Sequence, residues 1–494
     1  MYYVSTRDAS LRYTAAQAIV QGLSRDGGLF LPSEIPQLCE SAIRELAGCG
    51  YPERAARIMG LYLDEFSQEE LLGFSEKAYG SAKFDTPAAA PVVAVEDGVY
   101  VQELWHGPTC AFKDMALQML PYLLTASLHK TGEQKTVCIL VATSGDTGKA
   151  ALEGFRDVEH TKILVFYPDG GVSEIQKLQM VTQEGGNVGV CAVRGNFDDA
   201  QTGVKKIFSD EALRAELAAR GYFLSSANSI NWGRVLPQIV YYVSAYCDLL
   251  NGGKIAMGQT VDVCVPTGNF GNILAAYYAK RMGVPLGRLV CASNANNVLT
   301  EFLSTGTYDR NRPFYQTASP SMDILISSNL ERLLYLLSGS DAVVRGYMAQ
   351  LAETGRYTVS DEIKAAIGEL FACGCCDDAG TEEMIGRLYR KTGYLLDTHT
   401  AVAYRVAEQY RAQTDAAAPI VIASTASPFK FCASVLDALG CKEHAAGTGI
   451  IAQLAEVSGK VAPAPLAGLA GKAVRFETVA DKDAMRSVVA AFLQ

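Results

Sequence analysis

Over residues 1 to about 90 the apolar positions group into helical stretches joined by turns. An Ala- and Leu-bearing stretch from Ala15 to Leu23 predicts one helix, and the turn DGGLFLP follows it. Ser41 to Cys49 and Glu69 to Gly80 predict two more. The segment FDTPAAAPVVAVEDG, Phe84 to Gly98, has the composition of a linker running into a first strand. From Thr136 the rhythm changes. TVCILVAT is a continuous β-branched and apolar run, as a strand buried on both faces requires. It stops at SGDTG, and a helical segment follows from Lys149. The same unit recurs with KILVFYP before a helical stretch from Ser173, VGVCAV before one from Phe197, and TVDVCVP before TGNFGN and ILAAYYAKRM. RLVCAS comes next, and near the end PIVIAST precedes PFKFCASVLDAL. Such alternation predicts an α/β fold whose sheets are mostly parallel with helices on both faces. Between roughly 325 and 413 the pattern is predominantly helical. The expected division is a mainly helical N-terminal region over 1–95, a smaller α/β domain over 96–250, and a larger one over 251–494 containing the helical insertion at about 325–413. No repeat at a solenoid period interrupts this reading.

Composition narrows the class. At 494 residues the chain exceeds what one hydrophobic core serves, and 49% hydrophobic with 19% charged residues describes a globular protein. A net charge of −10, with no long run of Lys or Arg, makes nucleic acid and anionic membrane poor partners. The start, MYYVSTRDASLRY, carries charges where a signal peptide needs an apolar core, and the richest apolar stretch, Ala116 to Leu128, is short and holds Pro121. A cytoplasmic location is expected, consistent with thirteen cysteines scattered among apparent core strands. Cys373, Cys375 and Cys376 crowd into FACGCCDDAG. With no second Cys or His pair at finger-like distance, they read as a reduced helix-end loop and not as a metal site.

Candidate chemistry concentrates in loops at strand ends, where parallel sheets bind ligands. TGNFGN, Thr267 to Asn272, offers glycines for close backbone approach and a following helix whose free N–H groups favour a phosphate. ATSGDTGKA, Ala142 to Ala150, has the same layout with hydroxyls on Ser144 and Thr147. GDTGKA fails as a P-loop, because Thr143 replaces the early glycine and Ala150 the magnesium-binding hydroxyl. Neither loop spells the G-x-G-x-x-G of a dinucleotide binder. A phosphate loop together with Lys113, set among Ala111, Phe112, Met115, Ala116 and Leu117, suits pyridoxal phosphate, which needs a lysine amine, a helix N-terminus and a partner for its ring nitrogen.

Taken in order, HGPTCAFKDMALQ, TSGDTG, NSINWGR, PTGNFGN and TASPFKF resemble the motif series of the threonine synthases, fold-type-II pyridoxal-phosphate enzymes of tryptophan synthase β-like architecture. The resemblance extends to GLSRDGGLFLP and SMDILISSNLERLLY, and so to nearly the whole chain. It implies that Lys113 carries the cofactor, that Gly268, Asn269, Phe270, Gly271 and Asn272 bind it around the phosphate, and that Thr425 meets the ring nitrogen. It implies that the loop Ser144, Gly145, Asp146, Thr147 and Gly148 receives the substrate α-carboxylate. Asn228, Ser229 and Arg234, with Thr147, would then hold the phosphate of O-phospho-L-homoserine. The implied reaction eliminates phosphate from the γ-carbon and adds water at the β-carbon, giving L-threonine. Ser427 stands where members of the family often carry His. His106 reads equally as a proton shuttle or as a hydrogen-bonding member of its turn. Two rivals remain: another lyase or dehydratase of the same fold type, and a pyridoxal-phosphate-binding protein without turnover. A monomer or homodimer is expected.

Overall fold

The computed structural model describes residues 1–170, 172–414 and 418–494. Each predicted apolar run becomes a strand in one of two sheets. The five-stranded sheet is parallel throughout, in the order Val479–Asp481, Val188–Arg194, Thr161–Pro168, Thr136–Ala142, Tyr222–Ser225. The six-stranded sheet runs Phe371–Cys375, Leu286–Ser293, Val261–Pro266, Ile420–Ser424, Val99–Glu103, Val92–Glu96, and only the last pairing is antiparallel. The segment expected as a linker thus contributes an edge strand, turned at Gly98 (φ +67°) onto its neighbour.

The sheets do not divide the chain at 95/96 and 250/251. Val99–Glu103 joins the six-stranded sheet, and the C-terminal Val479–Asp481 and helix Met485–Phe492 return to the five-stranded one. There Ala480, Met485, Val489 and Leu493 share a core with Cys138, Leu140 and Phe166. The N-terminal region holds the helices Ala15–Gln21, Glu40–Ala47, Tyr51–Gly60 and Gln68–Tyr79, with a small antiparallel pair Tyr3–Ser5 and Phe30–Pro32. Pro52 sits in the first turn of its helix, where the missing N–H costs nothing.

One expectation is overturned. FACGC is not a helix-end loop: the helix Asp361–Leu370 passes directly into the strand Phe371–Cys375, whose backbone pairs with Leu286–Ser293. The three cysteines sit at a sheet edge because Phe371 is buried and Cys373 lies opposite Cys291. Among the described residues no group of His, Cys, Asp or Glu is placed to hold a metal ion. Among the same residues no helix is long and apolar enough to cross a membrane.

Candidate active site

Lys113 ends a buried turn and opens the short helix Asp114–Leu117. Thr109 closes that turn by donating its N–H and its hydroxyl, each across 2.8 Å, to the Asp114 carboxyl. Gly107 is required there, since a Cβ would lie 2.6 Å from Asp114, and Cys110 takes a left-handed φ of +58°. Burial pushes the Asp114 carboxyl up to about 6. The turn is fastened to the chain after Ile420–Ser424: Phe112 N–H donates to the Thr425 carbonyl (2.8 Å), and Ser427 N–H to that of Cys110 (3.0 Å). Lys113 and Thr425 therefore face one cavity of ≈ 1590 Å³.

Lys113 is buried, 8% exposed as a residue. Its Nζ lies 3.0 Å from Ser321 Oγ, 3.5 Å from Asp146 Oδ2 and 4.9 Å from the centre of the Phe112 ring. Burial holds its pKa below the ordinary lysine value; Asp146 opposes this, while Lys430 and Arg234 add to it. Asp146 itself is only 2% exposed, and its Oδ1 accepts from Lys430 Nζ (2.8 Å) and Gln176 Nε2 (2.9 Å). Burial alone would raise its carboxyl, yet Lys430 and then Lys113 hold it well below the usual range.

The Asp146 side chain is thus committed to two lysines and Gln176, which leaves its backbone N–H, in the first turn of the helix Asp146–Phe155, as the group able to meet an anion. Gly145 turns from the cavity. Its φ is +132°, the Gln176 side chain fills the place a Cβ would take, and its N–H donates to Thr143 Oγ1 (3.0 Å). Of this loop, Ser144 and Thr147 line the cavity.

The loop 267–272 follows the strand Val261–Pro266 and leads into the helix Gly271–Arg281. Phe270 caps that helix with a left-handed φ of +62°, while its ring is buried 5.8 Å from that of Phe371, so it offers backbone rather than ring to a ligand. Gly268 has no room for a side chain, because a Cβ would lie 2.6 Å from the Ser321 carbonyl. Asn269 is exposed and its carbonyl accepts from Asn329 N–H (3.1 Å). Asn272 is buried; its Oδ1 accepts from the hydroxyls of Tyr241 (2.7 Å) and Tyr242, and its Nδ2 has no partner among the described residues. A buried amide donor left open at a helix N-terminus suits an anionic oxygen.

Arg234 stands in the first turn of the helix Trp232–Asn251, 3% exposed at the cavity wall with Asn228 and Ser229. Nη1 donates to the Ala227 carbonyl (2.9 Å), but Nε has no partner among the described residues, and burial lowers the guanidinium to about 10.

Two open positions in the sequence reading are resolved differently. His106 holds Asp85 Oδ1 at 2.6 Å and Glu103 Oε2 at 3.0 Å and stacks on Trp105, so both ring nitrogens serve the turn. Ser427 is fully buried and its hydroxyl accepts from Phe429 N–H, capping the turn Pro428–Lys430. Sequence reasoning missed His399, whose Nε2 accepts from Ser321 N–H (3.1 Å) while Nδ1 faces Asp397 Oδ1 (3.1 Å). A backbone N–H can only donate, which fixes the His399 proton on Nδ1. His399 and Ser321 both line the cavity. Ser321 was within a quoted motif, but nothing in its spacing pointed to Lys113.

The family model for the threonine synthase N terminus matches residues 2–79, that for pyridoxal-phosphate dependent enzymes residues 83–426, and that for the threonine synthase C-terminal region residues 400–489. A threonine synthase of Pseudomonas aeruginosa is 39% identical over 433 residues, covering 87% of this chain and 89% of that protein. The chain belongs to the threonine synthase family. The human protein called threonine synthase-like 1 is 41% identical over 87% of this chain, which spans 58% of that relative's length. A crystal structure of pyridoxal-phosphate-bound threonine synthase from Brucella melitensis superimposes with a TM-score of 0.88 at 38% identity, covering 100% of both chains. The fold is therefore that of the threonine synthases, and the cofactor is pyridoxal phosphate. The residues present fit it: a buried lysine amine, an open helix N-terminus with an unpartnered Asn272 amide, and Thr425 facing the same cavity.

Proposed function

We propose that the protein converts O-phospho-L-homoserine and water into L-threonine and inorganic phosphate, serving threonine biosynthesis. What supports this reading is a second group of side chains able to hold an anion. Arg234, with its unpartnered Nε, stands with Asn228, Ser229 and Thr147 on the cavity that also holds Lys113 and the separate Asn272 cradle. The Asn272 cradle would take the cofactor phosphate, and a substrate carrying its own phosphate would account for the other.

Pyridoxal phosphate, when bound, supplies an electron sink for charge developing on the substrate carbons. In this reading Lys113 holds it through Nζ, and the freed amine takes the substrate α-proton. Burial lowers its pKa from the ordinary lysine value and so eases the loss of the proton that a base must shed. Ser321 Oγ, at 3.0 Å, orients that amine, and His399 fixes the Ser321 backbone. The Ser144 hydroxyl and the N–H groups at the start of the helix Asp146–Phe155 hold the α-carboxylate, while Arg234, with Asn228, Ser229 and Thr147, grips the phosphate as it leaves. Thr425 meets the ring nitrogen with a hydroxyl, which cannot keep a pyridine protonated as a carboxylate does and so moderates the sink.

The test is incubation of the purified protein with O-phospho-L-homoserine, measuring phosphate and threonine together. Equal yields support the reading. Phosphate without threonine would make the protein an eliminating lyase, and neither product would leave a binding protein without turnover.

A further inference from the structure

Two cations share one buried carboxylate beside the reacting amine. Asp146, at the N-terminus of the helix Asp146–Phe155 on the five-stranded sheet, lies between Lys113 and Lys430. Lys430 closes the short turn Pro428–Lys430 after the strand Ile420–Ser424 of the other sheet. Its side chain is 0% exposed, with Nζ 2.8 Å from Asp146 Oδ1 and 2.8 Å from the Thr109 carbonyl. Lys113 Nζ approaches Asp146 only to 3.5 Å. The shorter contact belongs to the lysine that no catalytic role requires.

Burial makes that asymmetry consequential. A carboxylate out of water without a cation is strongly disfavoured. If Lys113 were the only partner, each loss of charge on its amine would strand Asp146, and the amine would resist giving up its proton. With Lys430 in place Asp146 remains paired whatever the charge on Lys113. We propose that Lys430 is a positioning residue that holds Asp146 ionised and so frees the proton on Lys113 Nζ. The other charged group acting on that amine is Arg234 from the helix Trp232–Asn251, and the carboxyl of the neighbouring Asp114 is engaged by Thr109. From the turn Pro320–Met322 comes the Ser321 hydroxyl, with Asp323 next to it engaged by Asn294, Asn296 and Thr317.

This inference rests on Lys113 being the cofactor lysine, and its test uses no substrate. The visible absorption of cofactor bonded to Lys113 changes when that nitrogen loses its proton, so the band is titrated with pH in the holoenzyme. Lys430→Met should raise the midpoint by about one unit or more, a tenfold change in the ratio of deprotonated to protonated form at fixed pH, because Asp146 is left to Lys113 alone. Asp146→Asn should lower it, and Lys430→Arg should stay near the parent value. Lys430→Gln serves should the methionine variant fail to fold. Shifts of the same sign in the Lys430→Met and Asp146→Asn proteins, or an unmoved midpoint in Lys430→Met or Lys430→Gln, would overturn the proposal. Borohydride reduction and peptide mapping separate that failure from one of the underlying reading. Label away from Lys113 would remove the premise, whereas label on Lys113 with unmoved midpoints would remove only the role of Lys430.

Discussion

Phe112 donates its backbone N–H to the Thr425 carbonyl across 2.8 Å, and the neighbouring Ala111 and Ala426 form a β-bridge. The turn carrying the lysine and the loop carrying the ring-nitrogen candidate are therefore one backbone unit, independent of the Thr425 side chain. Thr425→Val should keep that clamp and load cofactor nearly as the parent does. Turnover of O-phospho-L-homoserine should fall by about threefold to tenfold, the worth of one hydrogen bond at roughly 0.5–1.5 kcal/mol. Absorbance titration with added cofactor and steady-state rates separate the two effects. A protein that loses cofactor along with rate would show the hydroxyl acting through the fold.

Lys113 should be the residue joined to the cofactor. After borohydride reduction, peptide mapping should find the label on the peptide holding Lys113, with none on Lys149 or Lys430. Lys149 is committed elsewhere, to Glu153 and Gln183, and Lys430 to Asp146. Lys113→Ala should bind cofactor weakly and turn over essentially nothing, because attachment point and base vanish together.

The buried parallel strands were legible because both faces demand unbroken apolar runs, and TVCILVAT or PIVIAST leave no other reading. Short edge strands were not. YFLS, FACGC and VAD are stabilised by pairing with chain distant in sequence, which no local pattern carries. The same limit applies to the site. Lys113, Asn272 and Arg234 stood in local motifs that imply a ligand, whereas Lys430, Ser321 and His399 acquire meaning only by meeting Lys113 and Asp146 across elements. Asp146 shows the converse. Its place in SGDTG suggested a substrate loop, and the two lysines around it give its side chain a task that the motif did not announce.

Asn272→Asp should weaken cofactor binding. The Tyr241 and Tyr242 hydroxyls can still donate to the new carboxylate, so the fold is preserved, but the open Nδ2 donor becomes an anion facing a phosphate dianion. The helix N-terminus offsets only about 0.3–1 kcal/mol of that repulsion. Equilibrium dialysis should show at least a tenfold loss, and unchanged affinity would put the phosphate elsewhere.

The Asp114 carboxyl titrates near about 6 in the folded chain against 3.8 for the free group, so the folded state holds its proton longer. That contribution favours folding below the unfolded value and is lost as pH rises through the folded one. Asp114→Asn cannot ionise and lacks this dependence. The melting temperature of the parent, measured relative to that variant, should fall between pH 4 and pH 6.5 and then level off. A constant difference across that range would mean that Asp114 is ionised throughout.

Arg234 offers the sharpest test of the proposed phosphate specificity. One arm already supports the loop, with Nη1 on the Ala227 carbonyl, while Nε at the same cavity is buried without a partner. Leaving such a donor unsatisfied costs free energy that a phosphate oxygen would recover. Arg234→Ala should keep the visible band of bound cofactor and lose roughly 1.5–3 kcal/mol of transition-state stabilisation, about one to two decades in kcat/KM for O-phospho-L-homoserine. Unphosphorylated amino acids, held through Ser144 and the start of the helix Asp146–Phe155, should bind nearly as before. Arg234→Lys should recover part of the loss, since an ammonium supplies charge without the planar fork. Equal losses for phosphorylated and unphosphorylated ligands would instead assign Arg234 to the Ala227 loop, and the second anion site would have to be sought elsewhere on the cavity wall.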